Sequence, residues 1–320
     1  MHMKLIAPMA LFLLAACGGN PLGGGDDGGG GGGADDTITV PENVRNNVNN
    51  IAYDAATDTF RVEIEAFDTS PVVATWARDA GFDTAGYRGY AVQEDPLDRL
   101  FIGLGKTSDD GTVTAAVAGD GGQFNKFYSG GDYTRSGAFT PPAGTADPGS
   151  GQVSYAGSYA GLTNIPGPGG DLLPVAPGTD PEVLPNQASR VAGDIFLNAN
   201  FGDNAVNGAV YNRVLVDYGF GLQSVILVGG VIAANGTFAG QAERWVNDDS
   251  SQPVVGEFAG VFGGANAGNV GGVVALEELY GTATGEVLEA AQERGVFVLR
   301  QCGLTGDAAI CDGALPDFGN

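Results

Sequence analysis

The sequence predicts a mostly β protein whose C-terminal half closes into a small barrel, and three observations support this prediction. Glycine supplies 55 of the 320 residues, and long helical patterns are rare. Residues 256–276 have the period of two strands joined by a glycine-rich turn, with Phe258, Gly260 and Phe262 on one face. Large residues that alternate with glycine on one face suit the tapering interior of a small closed barrel. The pattern recurs upstream at Phe238–Gly240, Tyr155–Gly157 and Tyr159–Gly161.

Eight strands are expected in the C-terminal half, joined mostly by hairpins. Asn235-Gly236 is a strong signal for a two-residue hairpin turn. Eight antiparallel strands can close on themselves, which removes exposed edges. Two connections are long: 164–189 contains six prolines, and 278–294 includes a segment, 285–294, that predicts one or two helical turns. Long loops on a rigid barrel commonly carry binding residues. The predicted strands are 152–163, 190–201, 205–213, 223–234, 236–245, 256–263, 269–277 and 295–301.

The N-terminal half predicts a smaller, mostly antiparallel sheet with turns rich in Gly and Asp. One helical turn is expected at 75–80, and the proline- and glycine-rich segment 140–149 is the best candidate for a domain boundary. The strands expected here are 51–54, 58–64, 87–93, 99–104, 112–117 and 124–128, the first two forming a hairpin.

The start of the chain predicts an export signal. Residues 5–16 form an apolar block that is too short to span a bilayer. Residues 14–17 are Leu-Ala-Ala-Cys, which resembles the lipobox of bacterial lipoproteins. That resemblance implies cleavage before Cys17 and its lipidation, and Gly18 after it implies sorting to the outer membrane. An ordinary signal peptide with a chance cysteine is the alternative. Several acyl chains together anchor a protein stably.

Composition then divides the chain and excludes several functions. Residues 17–36, almost all Gly, Asp and Asn, predict a flexible, disordered tether. The net charge of −24 argues against nucleic acid and against anionic membrane surfaces; it suits plain solubility, and a basic protein or a cationic ligand as well. The predicted organisation is a signal peptide at 1–16, the tether at 17–36, a β-rich N-terminal domain at 37–145, a barrel domain at 150–302 and a tail at 303–320.

Catalysis is not expected. The only histidine, His2, lies in the predicted signal peptide, so the mature chain has no Ser-His-Asp or Cys-His arrangement and no histidine-ligated zinc. Paired carboxylates could still hydrolyse glycosides, but no pair stands out. We therefore predict no catalytic residue, no metal site and no cofactor. Cys302 and Cys311, with eight residues between them, are expected to form a disulfide in an exported chain, with two free thiols as the alternative.

Two segments of the predicted barrel resemble a known family. One is Gly193–Phe201 with its turn into Val206–Gly208; the other is Gly256–Gly264, followed by Ala267 and Gly271-Gly272. Together with the Tyr/Phe-x-Gly repeats, they resemble the β-barrel domain of the transferrin-binding protein B family, over about residues 150–302. The sequence departs from the usual pattern just after the alanine, where Gly268 and Asn269 replace a common acidic residue.

The resemblance implies an eight-stranded barrel beside a smaller β-rich handle domain. It also implies a lipoprotein at the cell surface that binds a host protein, haem or another nutrient source, with an outer-membrane transporter as a further partner. Related lipoproteins include factor H binding protein and receptors for haem or haemoglobin. No binding residue transfers, because binding surfaces in this family lie in variable loops.

The sequence thus predicts a non-catalytic binding lipoprotein of the outer membrane, exposed at the surface. A structural or periplasm-facing envelope lipoprotein without a ligand is the alternative. Direct binding of haem would need tyrosine or, as weaker candidates, cysteine or lysine, because the predicted mature chain contains no histidine and no methionine. The usual role of such tyrosines is packing with the hydroxyl at the barrel rim. The candidates in the barrel half are Tyr155, Tyr159, Tyr211 and Tyr218.

Overall fold

The computed structural model describes residues 38–65, 72–143, 151–245, 253–282 and 286–313. These residues are mostly β-strand, as predicted, and form two large antiparallel sheets and one two-stranded hairpin. The predicted signal peptide, Cys17 and the Gly-rich tether lie outside the described residues, as does most of the predicted boundary segment.

The first sheet has seven strands, each paired with its neighbour in chain order. Its ends approach each other: Asn47 N donates to Ser129 O at 3.0 Å, and Ile51 N donates to Asp132 Oδ2 at 3.2 Å. The sheet is therefore nearly closed around its own small core. Its elements are α1 Glu42–Arg45, β1 Val48–Asp54, β2 Thr59–Ile64, β3 Val72–Arg78, a 3-10 turn at Ala80–Phe82, β4 Arg88–Val92, β5 Phe101–Thr107, β6 Val113–Asp120 and β7 Ser129–Arg135.

The second sheet has nine strands, and eight of them close into the predicted barrel, which is confirmed. It closes because β10 pairs with both β9 and β12 while β8 pairs with both β9 and β18. The strands are β8 Gln152–Pro166, β9 Ala188–Asn200, β10 Ala205–Leu215, β11 Phe220–Gly221, β12 Val225–Ile232, β13 Thr237–Arg244, β14 Val254–Gly263, β15 Asn269–Leu276, β16 Leu279–Tyr280, β17 Val287–Leu288 and β18 Glu293–Gln301, with 3-10 turns at Pro181–Val183, Ala265–Ala267 and Ala309–Asp312. The barrel excludes β11 and the small β16–β17 hairpin.

The alternation of aromatic residues with glycine fills the barrel interior. Phe258 and Phe262 are fully buried in one cluster with Phe238, whose ring centroid lies 4.9 Å from that of Phe262. A Cβ on Gly260 would lie 2.5 Å from Cζ of Phe238, so this position must be glycine for the ring to fit. The interior is a packed core of large side chains.

The two sheets pack on each other in one compact unit that includes residues 35–320. The second face of β14, with Ala259 and Val261, is buried against the first sheet in a shared apolar cluster. A Cβ on Gly131 of β7 would lie 2.6 Å from Val273 of β15, which shows how closely the two sheets approach. This shared core explains why β15 is buried at every position. The division into domains stays a prediction.

Two elements predicted in the N-terminal half are wrong. The helical turn expected at 75–80 is largely strand, since β3 runs to Arg78 with Trp76 buried and paired with Phe60. The strand expected at 124–128 is a turn, because Phe124 and Asn125 have φ of 54° and 56°, values that a strand cannot use.

The helical turns expected at 285–294 are also wrong for the residues that the structure describes there. Val287 and Leu288 pair with Leu279 and Tyr280 as a small hairpin, and β18 begins at Glu293. The segment is held by strand pairing instead, first within this hairpin and then between β18 and its neighbours β15 and β8.

Candidate functional site: the long-loop end

The connections of the barrel are divided by length between its two ends. Successive antiparallel strands reverse direction, so alternate connections lie at the same end. The long connections at one end, which we call the long-loop end, are 167–187, 216–224, 245–253 and 277–292. The connections at the opposite end, which we call the short-turn end, are 201–204, 233–236 and 264–268.

Loops of the seven-stranded sheet join the long-loop end. Gln93, just after β4, accepts a hydrogen bond from Leu173 N at 2.8 Å. Gln123, just after β6, donates through Nε2 to Leu97 O at 2.9 Å and to Val183 O at 2.8 Å. Two connections of the seven-stranded sheet, 93–100 and 121–128, are thereby hydrogen-bonded to the longest barrel connection, 167–187. The two sheets present one composite surface here.

The approach of these loops depends on a glycine. Asn186 N donates to Gly122 O at 3.0 Å. A Cβ on Gly121 would lie 2.4 Å from Asn186 O, a distance that backbone cannot tolerate. Any larger residue at Gly121 would push the 167–187 connection off the sheet.

A buried ion pair between Arg99 and Asp120 stabilises the same loops. Arg99 contacts Asp120 and donates to Gln123 O at 2.7 Å and to Lys126 O at 2.9 Å. Its guanidinium lies 4.7 Å from the ring centroid of Tyr128. Burial raises the pKa of the Asp120 carboxyl, and the charge of Arg99 opposes that rise. The pair thus holds the two connections in place while its charges cancel.

A pocket of about 400 Å³ opens between these loops, and we call it the loop-end pocket. Two exposed carboxylates, Glu94 and Asp98, are part of its lining. Val72 and Leu97 are 41% and 45% exposed at its mouth. The apolar part of its lining comprises Val72, Ala74, Val92, Leu97, Phe101 and Phe124. An apolar cavity with a few polar groups at its edge is the usual form of a binding site.

The long-loop end is strongly acidic, and the short-turn end is not. The four long barrel connections contain ten acidic residues and no lysine or arginine in their sequence. The three short turns contain a single acidic residue. Among the barrel connections, the acidic residues are therefore concentrated at the long-loop end. Fields of this kind attract cationic partners and speed their association.

Exposed apolar side chains accompany the acidic ones. Large apolar residues at the surface of the long-loop end are Leu173, Val175, Val216, Tyr218 and Phe220. Apolar groups in a polar surround are typical of protein interaction sites.

The predicted cysteine pair forms a disulfide near the short-turn end, away from the pocket. Cys302 and Cys311 pack against the outer face of the barrel beside Phe196 and Tyr211. Their role here is to fasten the chain after β18. The lipidation site predicted at Cys17 lies outside the described residues, so its role stays a prediction.

The four candidate tyrosines do not converge. Tyr155 and Tyr159 are fully buried inside the barrel, where their hydroxyls donate to Ala267 O at 2.6 Å and to Glu293 Oε1 at 2.6 Å. Tyr211 lies on the outer face, and burial raises its pKa to about 12. Tyr218 is exposed and donates to Pro166 O. The structure thus brings together no tyrosine site for haem among these residues.

Sequence reasoning missed a buried network inside the barrel. Glu293 Oε2 lies 2.5 Å from Arg213 Nη2, and both side chains are almost fully buried. Arg213 also donates to Gln223 O at 2.7 Å. With Tyr159 on the other carboxylate oxygen, these charges are paired within the core, so they stabilise one arrangement of strands rather than contact a ligand. The signal in the sequence was one arginine, Arg213, near the end of β10 and one glutamate, Glu293, at the start of β18.

The described residues contain no group of three or more His, Cys, Asp or Glu side chains arranged to hold a metal ion. Among the same residues, no helix is long and apolar enough to cross a membrane.

No family model matches the chain, and no curated protein matches it either. Solved structures of transferrin binding protein B do resemble it. A double mutant of this vaccine antigen from Haemophilus parasuis Hp5 has a TM-score of 0.34 and 11% identity, covering 76% of this chain and 50% of that one. Intact Ap-TbpB, with N and C lobes, has a TM-score of 0.34 and 11% identity, covering 76% and 51%.

A third similar structure is the isotype 1 protein from serogroup B Neisseria meningitidis, with a TM-score of 0.33 and 12% identity, covering 75% of this chain and 39% of that one. The chain spans about half the length of these proteins or less. The resemblance noted in the sequence recurs in this comparison. At these scores and identities it assigns no ligand and no binding residue to this chain.

Proposed function

We propose that this chain is a lipoprotein of the outer membrane, exposed at the cell surface, that binds a ligand without catalysis through its long-loop end. The observation that supports this is the gathering of all the long barrel connections and two sheet loops at one end. A rigid scaffold that displays its loops together is the common design of binding proteins.

The chemistry of the surface favours a protein ligand. Acidic residues and exposed apolar side chains share the long-loop end. Arg99 fixes the neighbouring 121–128 connection through its hydrogen bond to Gln123 O. A basic protein would be attracted at long range and would then bury apolar area on contact. Haem is the weaker candidate, because the four tyrosines lie apart. An outer-membrane transporter that receives the cargo belongs to the same proposal.

The alternative proposal is an envelope lipoprotein that faces the periplasm and has no dedicated ligand. The packed barrel interior would serve such a structural role equally well. The two proposals differ in which compartment the long-loop end faces.

Protease shaving of intact cells separates them. The native chain and a Cys17→Ser variant, each with an epitope tag after residue 320, are expressed in the same host and treated with protease. We expect the native protein to be cut from whole cells while a periplasmic marker survives. The Cys17→Ser variant should be released from the membrane fraction, because it lacks the thiol that carries the lipid.

Protection of the native protein until the outer membrane is opened would overturn surface exposure and favour the periplasmic alternative. Retention of the Cys17→Ser variant in the membrane would overturn the lipid anchor.

A further inference from the structure

The junction between β3 and β4 is only half formed. β3 pairs with β2 along five residues, but it pairs with β4 at two positions alone, Ala77 with Ala91 and Arg78 with Tyr90. Beyond Ala91 the strands diverge, and the loop-end pocket lies between them, lined by Ala74 on one side and Val92 on the other. Residues 72–76 therefore have no strand partner on the β4 side among the described parts of the chain.

The backbone groups at this edge point into the gap. Asp79 N donates to Gly89 O at 3.0 Å across the closed part of the junction. In an antiparallel ladder, every second residue directs its N–H and C=O to the same neighbour. Val73 and Thr75 therefore present their backbone groups to the open side. Both residues are exposed, Val73 by 46%.

A strand added to this edge would lie beside the apolar pocket. Successive side chains of a strand point to opposite faces, so every second side chain of the added segment would face the pocket. Val72 and Ala74 of β3 line it from one side, and Leu97 and Phe101 line it from the other. An unpaired edge supplies main-chain hydrogen bonds, and the adjacent pocket supplies side-chain selectivity.

The charge of the pocket lining indicates which charged residue the added segment should carry. Glu94 and Asp98 line the pocket, and Arg99, the one cation among its described lining residues, contacts Asp120. None of the described lining residues therefore neutralises these two carboxylates. A second copy of this chain, with its net charge of −24, would be repelled here, whereas a segment with a lysine or arginine would be attracted.

We propose that the β3 edge and the loop-end pocket bind an extended segment of a partner protein. The segment pairs with the backbone of Val73 and Thr75, places an apolar side chain in the pocket, and carries a basic residue beside Glu94 and Asp98. This inference rests on the proposed function only in taking the ligand to be a protein.

Three synthetic peptides test it on the purified chain from residue 18 onward. The first alternates valine and threonine around one arginine, the second has glutamate in place of the arginine, and the third is the first with N-methyl groups on alternate amides. We expect the first to bind and to slow hydrogen exchange at Val73 and Thr75. The second should bind about tenfold more weakly at low salt, and the third not at all.

Two substitutions with matched controls complete the test. Val73→Pro removes one edge N–H and should abolish binding, whereas Val73→Ala keeps that N–H and should bind as the native chain does. Glu94→Gln/Asp98→Asn should weaken the arginine peptide about tenfold. The control Glu257→Gln/Glu289→Gln removes two carboxylates elsewhere and should leave the binding of the arginine peptide unchanged.

Binding without protection at Val73 and Thr75, or equal binding by the N-methylated peptide, would overturn the proposal even if Val73→Pro fails to fold. Self-association of the chain that protects the same two amides would overturn the partner assignment. Surface exposure on cells is measured separately, so either proposal can fail while the other stands.

Discussion

The barrel and the seven-stranded sheet differ in how completely they pair their strand edges. The barrel closes fully, since each of its eight strands has two neighbours, and its interior is filled by aromatic rings and a buried ion pair. The seven-stranded sheet curves nearly as far but leaves the β3–β4 junction half open. Closure removes every edge, whereas incomplete closure leaves an edge with a pocket beside it.

Each of the two sheets has its own cluster of charged and tyrosine side chains that joins its strands. Inside the barrel, Glu293 joins Arg213 and Tyr159 from three strands. In the sheet, Asp58 fastens the closed part of the junction, accepting from Tyr90 at 2.5 Å and from Arg88 at 2.9 Å. The first cluster is buried and the second lies near the surface. We therefore expect the barrel to be rigid and the β3–β4 junction of the seven-stranded sheet to be the more easily deformed part of the molecule.

The largest effect should come from breaking the barrel's internal network. Glu293→Ala leaves the Arg213 guanidinium buried without its carboxylate, which costs about 3–5 kcal/mol of unfolding free energy. Denaturant unfolding measures it. Glu293→Met/Arg213→Met removes both charges and should recover most of the loss. A single-substitution loss below about 1 kcal/mol would show that water reaches the site.

A core substitution tests the contrast between filled interior and open pocket. Phe258→Ala should cost about 3–5 kcal/mol, because the ring is fully buried among Phe238 and Phe262. Leu97→Ala at the pocket mouth should change stability by no more than about 0.5 kcal/mol. Thermal unfolding of the two variants measures both losses of stability. Equal losses for Phe258→Ala and Leu97→Ala would contradict the contrast between a filled interior and an open pocket.

The disulfide fastens the chain that leaves the barrel at the short-turn end. Cys302→Ser should cost about 2–4 kcal/mol, since the unfolded chain gains freedom when the small loop opens. Differential scanning calorimetry of this variant and of native protein treated with reductant should give the same shift. An unchanged melting temperature in both would mean that packing alone holds the segment.

The smallest effect concerns the surface cluster at the sheet junction. The Tyr90 hydroxyl, and then Arg88, hold the pKa of Asp58 below its usual range. A carboxyl with a lowered folded pKa stabilises the fold above about pH 4 and loses that contribution as pH falls through the folded value. Asp58→Asn should therefore flatten the fall in melting temperature below about pH 4. Glu289→Gln serves as the control, and identical acid profiles for Asp58→Asn and native protein would contradict the assignment.

Much of the barrel could be predicted from local patterns. The alternation of Phe258, Gly260 and Phe262 is visible in sequence because period two reports which face a residue occupies. The turn at Asn235-Gly236 is encoded by two adjacent residues. The sheet was harder: β7 was missed because its Ser-Gly-Gly start lacks apolar residues, and these small residues are needed where Gly131 meets Val273.

The candidate site could not be predicted in the same way. Glu94 and Asp98 are ordinary acidic loop residues in sequence, and nothing local places them beside Val72. Their proximity depends on where β3 and β4 separate, which is a matter of pairing between segments far apart in the chain.

By itself the sequence determined the β class, the eight barrel strands and the candidate disulfide, because periodicity, turn chemistry and cysteine spacing are local properties. Only the tertiary structure decided which loops share one end, which charges lie inside the barrel and which strand edge stays open. Those features arise from strand direction and closure, where residues distant in sequence come into contact.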